Sequence, residues 1–560
     1  MGDSTPRPLP SAATAADSAA ARQRLFDLAA VCVIVAVFVA LVVSTRRALT
    51  EPLWYNEQWR AHFVSVDHNW WSALQHANAP MSAAWFATEH LAIAARGNRE
   101  STLRLANVGW LLVAGLGTYA LARRWLSIIA AVLLALVVIV NGMLLPFALQ
   151  LAPYAADAAG TVIAVAALLY AREAAHTRRR IAAFGVACFG LTLATPAVFV
   201  VGPIIGCLLY EWWSGKGDRL LLRGSLATLA VGGLHLFLFV MRQDSLTKGT
   251  YWDTNFVPHS NVSAAARFVW DQTRGFVPWF ITGGYHSGEA QLIHLTPGWT
   301  TAVGIGATML LALGVWHAAL TRPGQILLFG TAGALPLTLV ASWMRLWPYG
   351  FERTNLYLVP LLYLICGLGV ARLWVLGGHA VRAMRSGQRR VFHAVAAVTC
   401  LAGLLAAIGL ATVSASVSLG ATRAAVPGAR PFDYGRRIDD AVIRVRTQAN
   451  ASTAVVVVGR MAFLGWQYYM FQRGGVPGTA VPPSRTDFVS IHGSTQPARF
   501  LVAHPGITRV YYYGPSGLSG RDLRSDTATL ATAGFCARDR WAVFQSGVLM
   551  QFGRCSAQGK

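Results

Sequence analysis

The sequence predicts an α-helical polytopic membrane protein with about eleven transmembrane helices, followed by a small C-terminal α/β domain. Two observations support this prediction. The 560 residues are 55% hydrophobic and only 13% charged, which is roughly half the charged fraction of a typical soluble protein. The apolar residues form long runs separated by short loops that contain arginine, as expected for a chain that crosses a membrane repeatedly. The composition therefore excludes a soluble globular protein.

The first segments of the chain are a tail and an anchor. Residues 1–23 are rich in Ala, Ser, Thr and Pro, so they are expected to form a disordered cytoplasmic tail. The segment 25–43 has no signal-peptidase site and is expected to remain in the membrane. Because Pro196 blocks a continuous helix, residues 182–211 are divided into two spans. The predicted spans are 25–43, 105–122, 126–147, 157–171, 182–195, 197–211, 224–241, 299–320, 325–343, 355–371 and 393–414.

The distribution of arginine predicts the orientation of the chain. The net charge of +23 would suggest a nucleic-acid partner in a soluble protein, but here the densest clusters, such as "REAAHTRRR" at 172–180, lie in alternate loops. With a cytoplasmic N-terminus these loops are cytoplasmic, in agreement with the positive-inside rule, although Arg46 and Arg47 then lie outside. The expected partner of this charge is the lipid bilayer of the plasma membrane, and no nucleic acid is expected.

This orientation puts three long stretches outside the cytoplasm. The predicted domains are the tail 1–23, the transmembrane domain 24–414 with external loops 44–104 and 242–298, and an extracytoplasmic domain 415–560. Short β-branched runs such as "TAVVVVG" alternate with polar segments in the last domain, which predicts an α/β fold. Its two cysteines, Cys536 and Cys555, are expected to form a disulfide bond outside the cytoplasm. Two free thiols are the alternative.

The candidate chemical groups lie at the external ends of the predicted spans. The first external loop contains the acids Glu57, Asp67, Glu89 and Glu100 among several tryptophans. A carboxylate held between aromatic side chains at a membrane surface is partly desolvated and can serve as a general base, although tryptophan at this depth is often only an interfacial anchor. Few ionisable residues lie within the spans, which argues against a proton-coupled transporter.

Two further motifs lie at the same predicted face. In "LQLAPYAADAAG" (149–160), the spacing of Gln150, Tyr154 and Asp157 would place them on one face if the segment is helical. A helix cap facing water is the alternative. In "RLWPYGFERTNLYLVP" (345–360), Arg345 and Arg353 precede a predicted span, and the arginine fork suits phosphate oxygens. An ordinary flanking arginine is the alternative here.

The second external loop has the aromatic content of a lid that lies on the membrane surface. An ordinary interfacial segment is the alternative. Its aromatic residues include Trp252, Phe256, Trp270, Trp279 and Tyr285.

Together these segments resemble the GT-C superfamily of polytopic membrane glycosyltransferases, in the branch of the protein O-mannosyltransferases and the lipid A aminoarabinose transferases. The "Tyr55-Asn56-Glu57" stretch corresponds to the acidic motif of that branch. "APMSAAWFATEHL" (79–91) and "LRLANVGWLL" (103–112), which contains Arg104, are similar to its next two conserved segments. The resemblance covers residues 25–375. Arginine exceeds lysine, which occurs only at Lys216, Lys248 and Lys560 among 47 basic residues, and this favours a bacterium with a GC-rich genome, such as an actinobacterium.

The resemblance implies a polyprenyl-phosphate sugar donor and an acceptor hydroxyl in the cell envelope. Glu57 or Asp67 would be the base of an inverting transfer, and Arg353 would stabilise the leaving phosphate. Substrate-binding roles are implied for Asn56, Tyr55, Arg104, Gln150, Tyr154, Asp157 and Arg345. No cluster of His or carboxylates has the spacing of metal ligands, so no cofactor is expected, and a requirement for a divalent cation is left open.

Two departures from the family pattern leave an alternative function open. Asn56 stands where the branch usually has an Asp, and "QLAPYAAD" lacks the Glu and Arg that often accompany Tyr154. Either Glu57 or another acid such as Asp67 is the base, or the chain binds lipid-linked sugar, or scaffolds other proteins, without catalysing a transfer.

Overall fold

The computed structural model describes residues 12–53, 55–65, 81–241, 253–282, 297–351, 353–385, 409, 438–450, 452–472, 490–492, 497–515, 520–543 and 547–555. The described chain is mostly helical, with one small sheet near its C-terminus. The α-helices before the sheet are α1 (Ala12–Ser44), α2 (Arg46–Thr50), α3 (Tyr55–Val64), α4 (Ala83–Arg96), α5 (Glu100–Ala122), α6 (Ile128–Ile139), α7 (Leu144–Ala148), α8 (Tyr154–Glu173), α9 (Thr177–Leu193), α10 (Ala197–Trp213), α11 (Arg219–His235), α12 (Val262–Thr282), α13 (Pro297–Ala319), α14 (Arg322–Trp343), α15 (Val359–Arg385) and α16 (Ile438–Gln448).

Seven helical segments of the described chain are long and apolar enough to cross a membrane. They are Ala21–Ser44, Glu100–Ala122, Tyr154–Glu173, Arg219–Val240, Thr301–Ala319, Arg322–Trp343 and Arg353–Gly377. Three further predicted spans coincide with the shorter helices α6, α9 and α10. The division of the last two at Pro196 is confirmed, because α9 ends at Leu193 and α10 begins at Ala197. The eleventh predicted span, 393–414, lies outside the described residues except for residue 409.

The first helix begins earlier than the sequence indicated. Helix α1 starts at Ala12, so residues 12–23 of the predicted disordered tail are helical. Alanine has the highest intrinsic helix propensity, and the alanine-rich stretch from Ala12 precedes an apolar span into which the helix continues without a break. Low hydrophobicity alone therefore did not predict the state of this segment.

The predicted span 126–147 is interrupted. Helix α6 ends at Ile139, and Asn141 separates it from the short helix α7. The Oδ1 atom of Asn141 accepts hydrogen bonds from the main-chain N–H groups of Met143 (2.9 Å) and Leu144 (3.0 Å). An asparagine side chain that bonds to nearby main-chain groups competes with the helical pattern, which a hydropathy profile does not detect.

Consecutive long helices run in opposite directions, so their starts lie alternately at the two ends of the bundle. The end called here the Glu57 end contains the starts of α5, α8 and α10 and the 3-10 turn Arg353–Leu358 that precedes α15. At the opposite end, called the Glu211 end, Glu211 accepts hydrogen bonds from Arg172 (2.8 Å) and Arg322 (2.7 Å). Three further ion pairs at this end join Arg123 to Asp27, Arg124 to Glu173 and Arg180 to Asp218.

The C-terminal region forms a five-stranded mixed sheet of order β2-β1-β3-β5-β4. Its elements are β1 (Thr453–Val457), α17 (Arg460–Gln467), β2 (Ser490–His492), α18 (Pro497–Ala503), β3 (Arg509–Pro515), α19 (Gly520–Thr532), β4 (Phe535–Val543) and β5 (Gly547–Arg554). Strands β2, β1 and β3 are parallel, and β5 is antiparallel to β3 and β4. A disulfide bond joins Cys536, in β4, to Cys555, just after β5. This sheet agrees with the predicted α/β character of the region.

The sheet region packs directly on α3. Tyr469 follows α17 and accepts a hydrogen bond from the main-chain N–H of Leu53 at 2.7 Å. Nearby, Gln472 contacts His62 at 3.1 Å, and its main-chain oxygen accepts a hydrogen bond from Asn98 at 3.0 Å. The residues that flank and form α3 therefore contact both the helical bundle and the C-terminal region.

Candidate functional site

Helix α3 places Glu57 and Arg60 three residues apart, so they lie about one turn from each other. Both side chains are buried at the Glu57 end of the bundle. Tyr55 and Asn56 also lie in the first turn of α3, but their side chains are outside the described part of the structure, and so is the whole of Asp67. The predicted roles of these three residues stay predictions.

Both carboxylate oxygens of Glu57 accept hydrogen bonds from Arg104. Arg104 donates from Nε to Oε1 of Glu57 at 2.8 Å and from Nη2 to Oε2 at 2.6 Å. The main-chain N–H of Leu151 donates to Oε1 at 2.7 Å. The remaining donors of Arg104 reach the main-chain oxygens of Ala48 (2.8 Å), Glu51 (2.5 Å) and Pro52 (3.1 Å). This ion pair joins α3, α5 and the segment before α8.

The ion pair with Arg104 bears on whether Glu57 can act as the general base. Both oxygens of Glu57 accept hydrogen bonds from a cation in a two-pronged arrangement. Glu57 is also fully buried. The geometry favours an anchoring role for Glu57 and Arg104 over proton transfer by Glu57 or substrate binding by Arg104.

Two buried arginines, Arg60 and Arg353, lie near Tyr154. Arg60 interacts electrostatically with Tyr154, and it donates to the main-chain oxygen of Leu151 at 3.4 Å. The guanidinium carbon of Arg353 lies 6.0 Å from the centre of the Tyr154 ring. Arg60 and Arg353 are only 5% and 4% exposed. Burial lowers the pKa of Arg60 from its ordinary value, and the positive charge of Arg353 acts in the same direction, whereas Tyr154 and Glu57 oppose it.

Asp157 completes this group of side chains. It lies about one turn after Tyr154 on α8 and is buried. The hydroxyl of Tyr357, on the 3-10 turn that begins at Arg353, is buried in the same region and has no hydrogen-bond partner among the described residues. The cluster of Arg60, Tyr154, Asp157, Arg353 and Tyr357 is called here the two-arginine cluster.

Gln150 and Arg345, which were also predicted to bind substrate, do not belong to the two-arginine cluster. Gln150 precedes α8, which begins at Tyr154 after Pro153, so Gln150 does not lie on one helix face with Tyr154 and Asp157. Proline disfavours helical geometry in the residue before it, which explains why the helix starts here. Arg345 is half-exposed and donates to Asp253 at 3.0 Å. It is therefore not buried with Arg353, although the sequence places both in one loop.

A second buried carboxyl group lies between α4 and α5. Asn107 donates to Oε1 of Glu89 at 2.8 Å and accepts a hydrogen bond from Nε1 of Trp85 at 2.7 Å. Oε2 of Glu89 has no hydrogen-bond partner among the described residues. Burial raises the pKa of Glu89 well above its ordinary value, against the opposing hydrogen bond from Asn107.

Arg60 and Tyr357 were not predicted from the sequence to belong to the site. Arg60 was detectable in principle, because it lies about one turn from Glu57 in a loop predicted to be external, where arginine is less expected. In the sequence, Tyr357 lies within the predicted apolar span 355–371. Only its position near Asp157 in the structure indicates that it belongs to the site. Within the described ranges, no three His, Cys, Asp or Glu side chains come together in a way that could hold a metal ion.

Solved structures with a similar fold are known. ArnT from Cupriavidus metallidurans bound to undecaprenyl phosphate superposes with a TM-score of 0.51 and 12% sequence identity, covering 93% of this chain and 98% of ArnT. The apo state of the same protein gives a TM-score of 0.51 and 14% identity, with 93% of this chain and 97% of ArnT covered. The oligosaccharyltransferase of Archaeoglobus fulgidus in the apo form gives a TM-score of 0.49 and 13% identity over 94% of this chain and 75% of that protein.

No protein-family model matches the sequence, and no curated protein does. The likeness to ArnT, a member of the GT-C superfamily, extends over nearly the full length of both chains. At this identity the likeness concerns the fold and not the activity. The chain is an α-helical membrane protein with the GT-C fold.

Proposed function

We propose that the protein is a membrane glycosyltransferase that moves a sugar from a polyprenyl-phosphate donor to a hydroxyl group of a cell-envelope acceptor. The observation that supports this best is the burial of Arg60 and Arg353 beside Tyr154 at the Glu57 end. Guanidinium groups present forked donors that match phosphate oxygens. Electrostatic contacts are stronger where protein replaces water, so a buried pair of arginines is suited to a phosphate.

The fold supports the same donor class. ArnT was solved with undecaprenyl phosphate bound, and this chain shares its fold. A polyprenyl phosphate has a long apolar tail and an anionic head, so its head must lie at a membrane boundary. The start of α8 and the 3-10 turn before α15 lie at the end of long apolar helices, which is where such a head group would lie.

The proposed reaction is a single displacement. The acceptor oxygen attacks the anomeric carbon, the bond from that carbon to the phosphate oxygen breaks, and the anomeric centre is inverted. The hydroxyl proton passes to a carboxylate, while Arg353 and Arg60 stabilise the charge that develops on the leaving phosphate. Tyr154 and Gln150 would orient the donor. Since Glu57 is engaged by Arg104, we assign the base role to Asp67.

A second function is a protein that binds lipid-linked sugar without catalysing its transfer. The Glu57 ion pair favours it, because the acid in the family motif is engaged with Arg104, and Asn56 cannot accept a proton. Incubation of the purified protein with a panel of polyprenyl-phosphate sugars and envelope extract distinguishes the two. Released polyprenyl phosphate, measured by mass spectrometry, supports the enzyme. Binding without release, together with a gain of turnover in Asn56→Asp, supports the binding protein.

The phosphate site is tested by undecaprenyl phosphate binding to the detergent-solubilised protein, measured by native mass spectrometry. A hydrogen bond to a charged group contributes about 1.5–3 kcal/mol, so Arg353→Ala and Arg60→Ala should each weaken binding by about tenfold or more. Arg353→Lys should be intermediate, because it keeps the charge and loses the fork. Arg345→Ala is the matched control and should bind normally. Equal affinity in all variants would refute the site.

A further inference from the structure

A groove of about 610 Å³ lies toward the Glu211 end of the bundle. It is bordered by α5, α8 and α9. Small side chains on all three helices leave the space open, among them Gly117 on α5, Ala166 on α8 and Ala182 on α9. Ile163 and Val186 add apolar walls. The groove is therefore a trough in a surface formed largely by apolar helices.

One end of the groove is polar. Arg124, Tyr170 and Arg179 border it there, next to the ion pairs of the Glu211 end. Arg124 is paired with Glu173 at 2.5 Å. Arg179 is exposed, and no ion pair or hydrogen bond involves its side chain within the described ranges. The polar end thus combines an exposed guanidinium group with a tyrosine that is 42% exposed.

The position of the groove restricts what can occupy it. Two of its walls, α5 and α8, are long and apolar enough to cross a membrane, and the lining residues Tyr170 and Val186 are exposed. The occupant must therefore be apolar along most of its length and enter from the bilayer. A basic residue at the membrane boundary attracts an anionic head group.

We propose that this groove is a binding site for an anionic glycerophospholipid. Its phosphate contacts Arg179, with Arg124 and Tyr170 beside it, and an acyl chain lies along the trough between α5, α8 and α9. The lining residues of α8 extend from Ile163 to Tyr170, which at 1.5 Å per residue is about 10 Å. The groove therefore holds the glycerol region and the first part of a chain.

The site is separate from the proposed donor site. Tyr154 and Tyr170 lie at opposite ends of α8, about 24 Å apart along the helix axis. One phosphate cannot contact both. Closer to the Glu57 end, a Cβ added to Gly160 would lie 2.6 Å from the main-chain oxygen of Gly190, so α8 and α9 touch directly there. The trough does not continue to the two-arginine cluster.

The test is lipid binding to the full-length protein, measured by native mass spectrometry with phosphatidylglycerol and phosphatidylcholine of identical acyl chains. A basic residue near a membrane surface contributes about 1 kcal/mol to the binding of an anionic lipid, which is about fivefold in affinity. Wild type should therefore prefer phosphatidylglycerol, and Arg179→Gln should reduce that preference about fivefold. Arg178→Gln, which changes the neighbouring exposed arginine outside the groove, is the control and should leave the preference unchanged.

A second pair of variants tests the trough. Ala182→Phe fills the groove and should weaken the retention of both lipids, whereas Ile181→Phe adds the same ring outside it and should not. Undecaprenyl phosphate binding should be unchanged in Arg179→Gln, so the failure of this site is distinguishable from the failure of the donor site. Equal binding of both lipids by wild type, equal effects of Arg178→Gln and Arg179→Gln, or a loss of undecaprenyl phosphate in Arg179→Gln would overturn the proposal.

Discussion

The main-chain N–H of Leu53 donates to the hydroxyl of Tyr469 at 2.7 Å, across 416 residues of sequence. Leu53 lies two residues before the start of α3 at Tyr55, and α3 carries Glu57 and Arg60. The C-terminal region therefore takes part in positioning the helix of the candidate site.

Tyr469→Phe should loosen this attachment. It leaves the buried N–H of Leu53 without its acceptor, which costs about 1–3 kcal/mol. We expect a lower apparent melting temperature and weaker undecaprenyl phosphate binding, because α3 loses a contact at its start. Tyr511→Phe is the control, since the Tyr511 hydroxyl donates to Gln448 at 2.7 Å within the C-terminal region. Equal undecaprenyl phosphate affinity in the two variants would show that the contact does not reach the site.

Gly465→Ala tests how closely α17 of the C-terminal region packs on α3, by adding a methyl group between them. A Cβ at Gly465 would lie 2.9 Å from the Cβ of Gln58 on α3, and such overpacking typically costs about 1–3 kcal/mol. Limited proteolysis should therefore release the C-terminal region faster than in wild type. Gly506→Ala is the control, because nothing lies within 4 Å of its added Cβ. A similar rate in both variants would contradict a close packing of α17 on α3.

The position of Tyr469 also bears on topology. Helix α15 begins at the Glu57 end, and Arg372 within it lies over the ring of Trp316 near the other end of the bundle. Tyr469 contacts Leu53 at the Glu57 end, whereas α15 runs toward the other end of the bundle. A crossing at 393–414 and an external C-terminal region stay predictions.

Labelling of whole cells checks this topology. Cys536 and Cys555 should resist a membrane-impermeant thiol reagent until a reductant opens the disulfide. Cys536→Ser should leave Cys555 reactive from outside without reduction. A Cys555 that reacts only after the cells are permeabilised would put the region in the cytoplasm and overturn the orientation.

The sequence predicted the helical membrane fold and the sheet region well, because both depend on local hydropathy and residue type. It did not predict which polar residues meet. Glu57 and Arg104 are 47 residues apart, and no periodicity relates them. Arg345 and Arg353 look equivalent in one loop, yet one is half-exposed and the other buried. Such differences arise from tertiary packing, which a single sequence does not report.

Glu89 should make stability depend on pH. Its folded-state pKa is raised by burial, so the folded protein holds this proton more tightly than the unfolded chain. The contribution is then fully present below the unfolded pKa of about 4.3 and is lost as the pH rises toward the folded value. Glu89→Gln keeps an acceptor for Asn107 and cannot ionise. Its apparent melting temperature relative to wild type should therefore increase from pH 5 to pH 8. A constant difference would mean that Glu89 is ionised in the folded protein.

The ion pair between Glu57 and Arg104 separates an anchoring role from a catalytic one. Removing one partner of a buried pair typically costs about 3–5 kcal/mol, because the other charge stays buried. Glu57→Gln and Arg104→Gln should each lower the apparent melting temperature strongly. The double variant should lose less than the two single effects together, because neither charge is left alone.

The rate of sugar transfer separates the role of Glu57 from that of Asp67. If Glu57 anchors α3 and Asp67 is the base, Asp67→Asn should fold as stably as wild type and lose about a hundredfold to ten-thousandfold in turnover, as is typical when a general base is removed. Glu57→Gln should lose donor binding together with stability, because α3 also carries Arg60. A Glu57→Gln protein that melts like wild type and binds undecaprenyl phosphate normally, yet does not turn over, would assign the base to Glu57 and make Arg104 its partner in catalysis rather than its anchor.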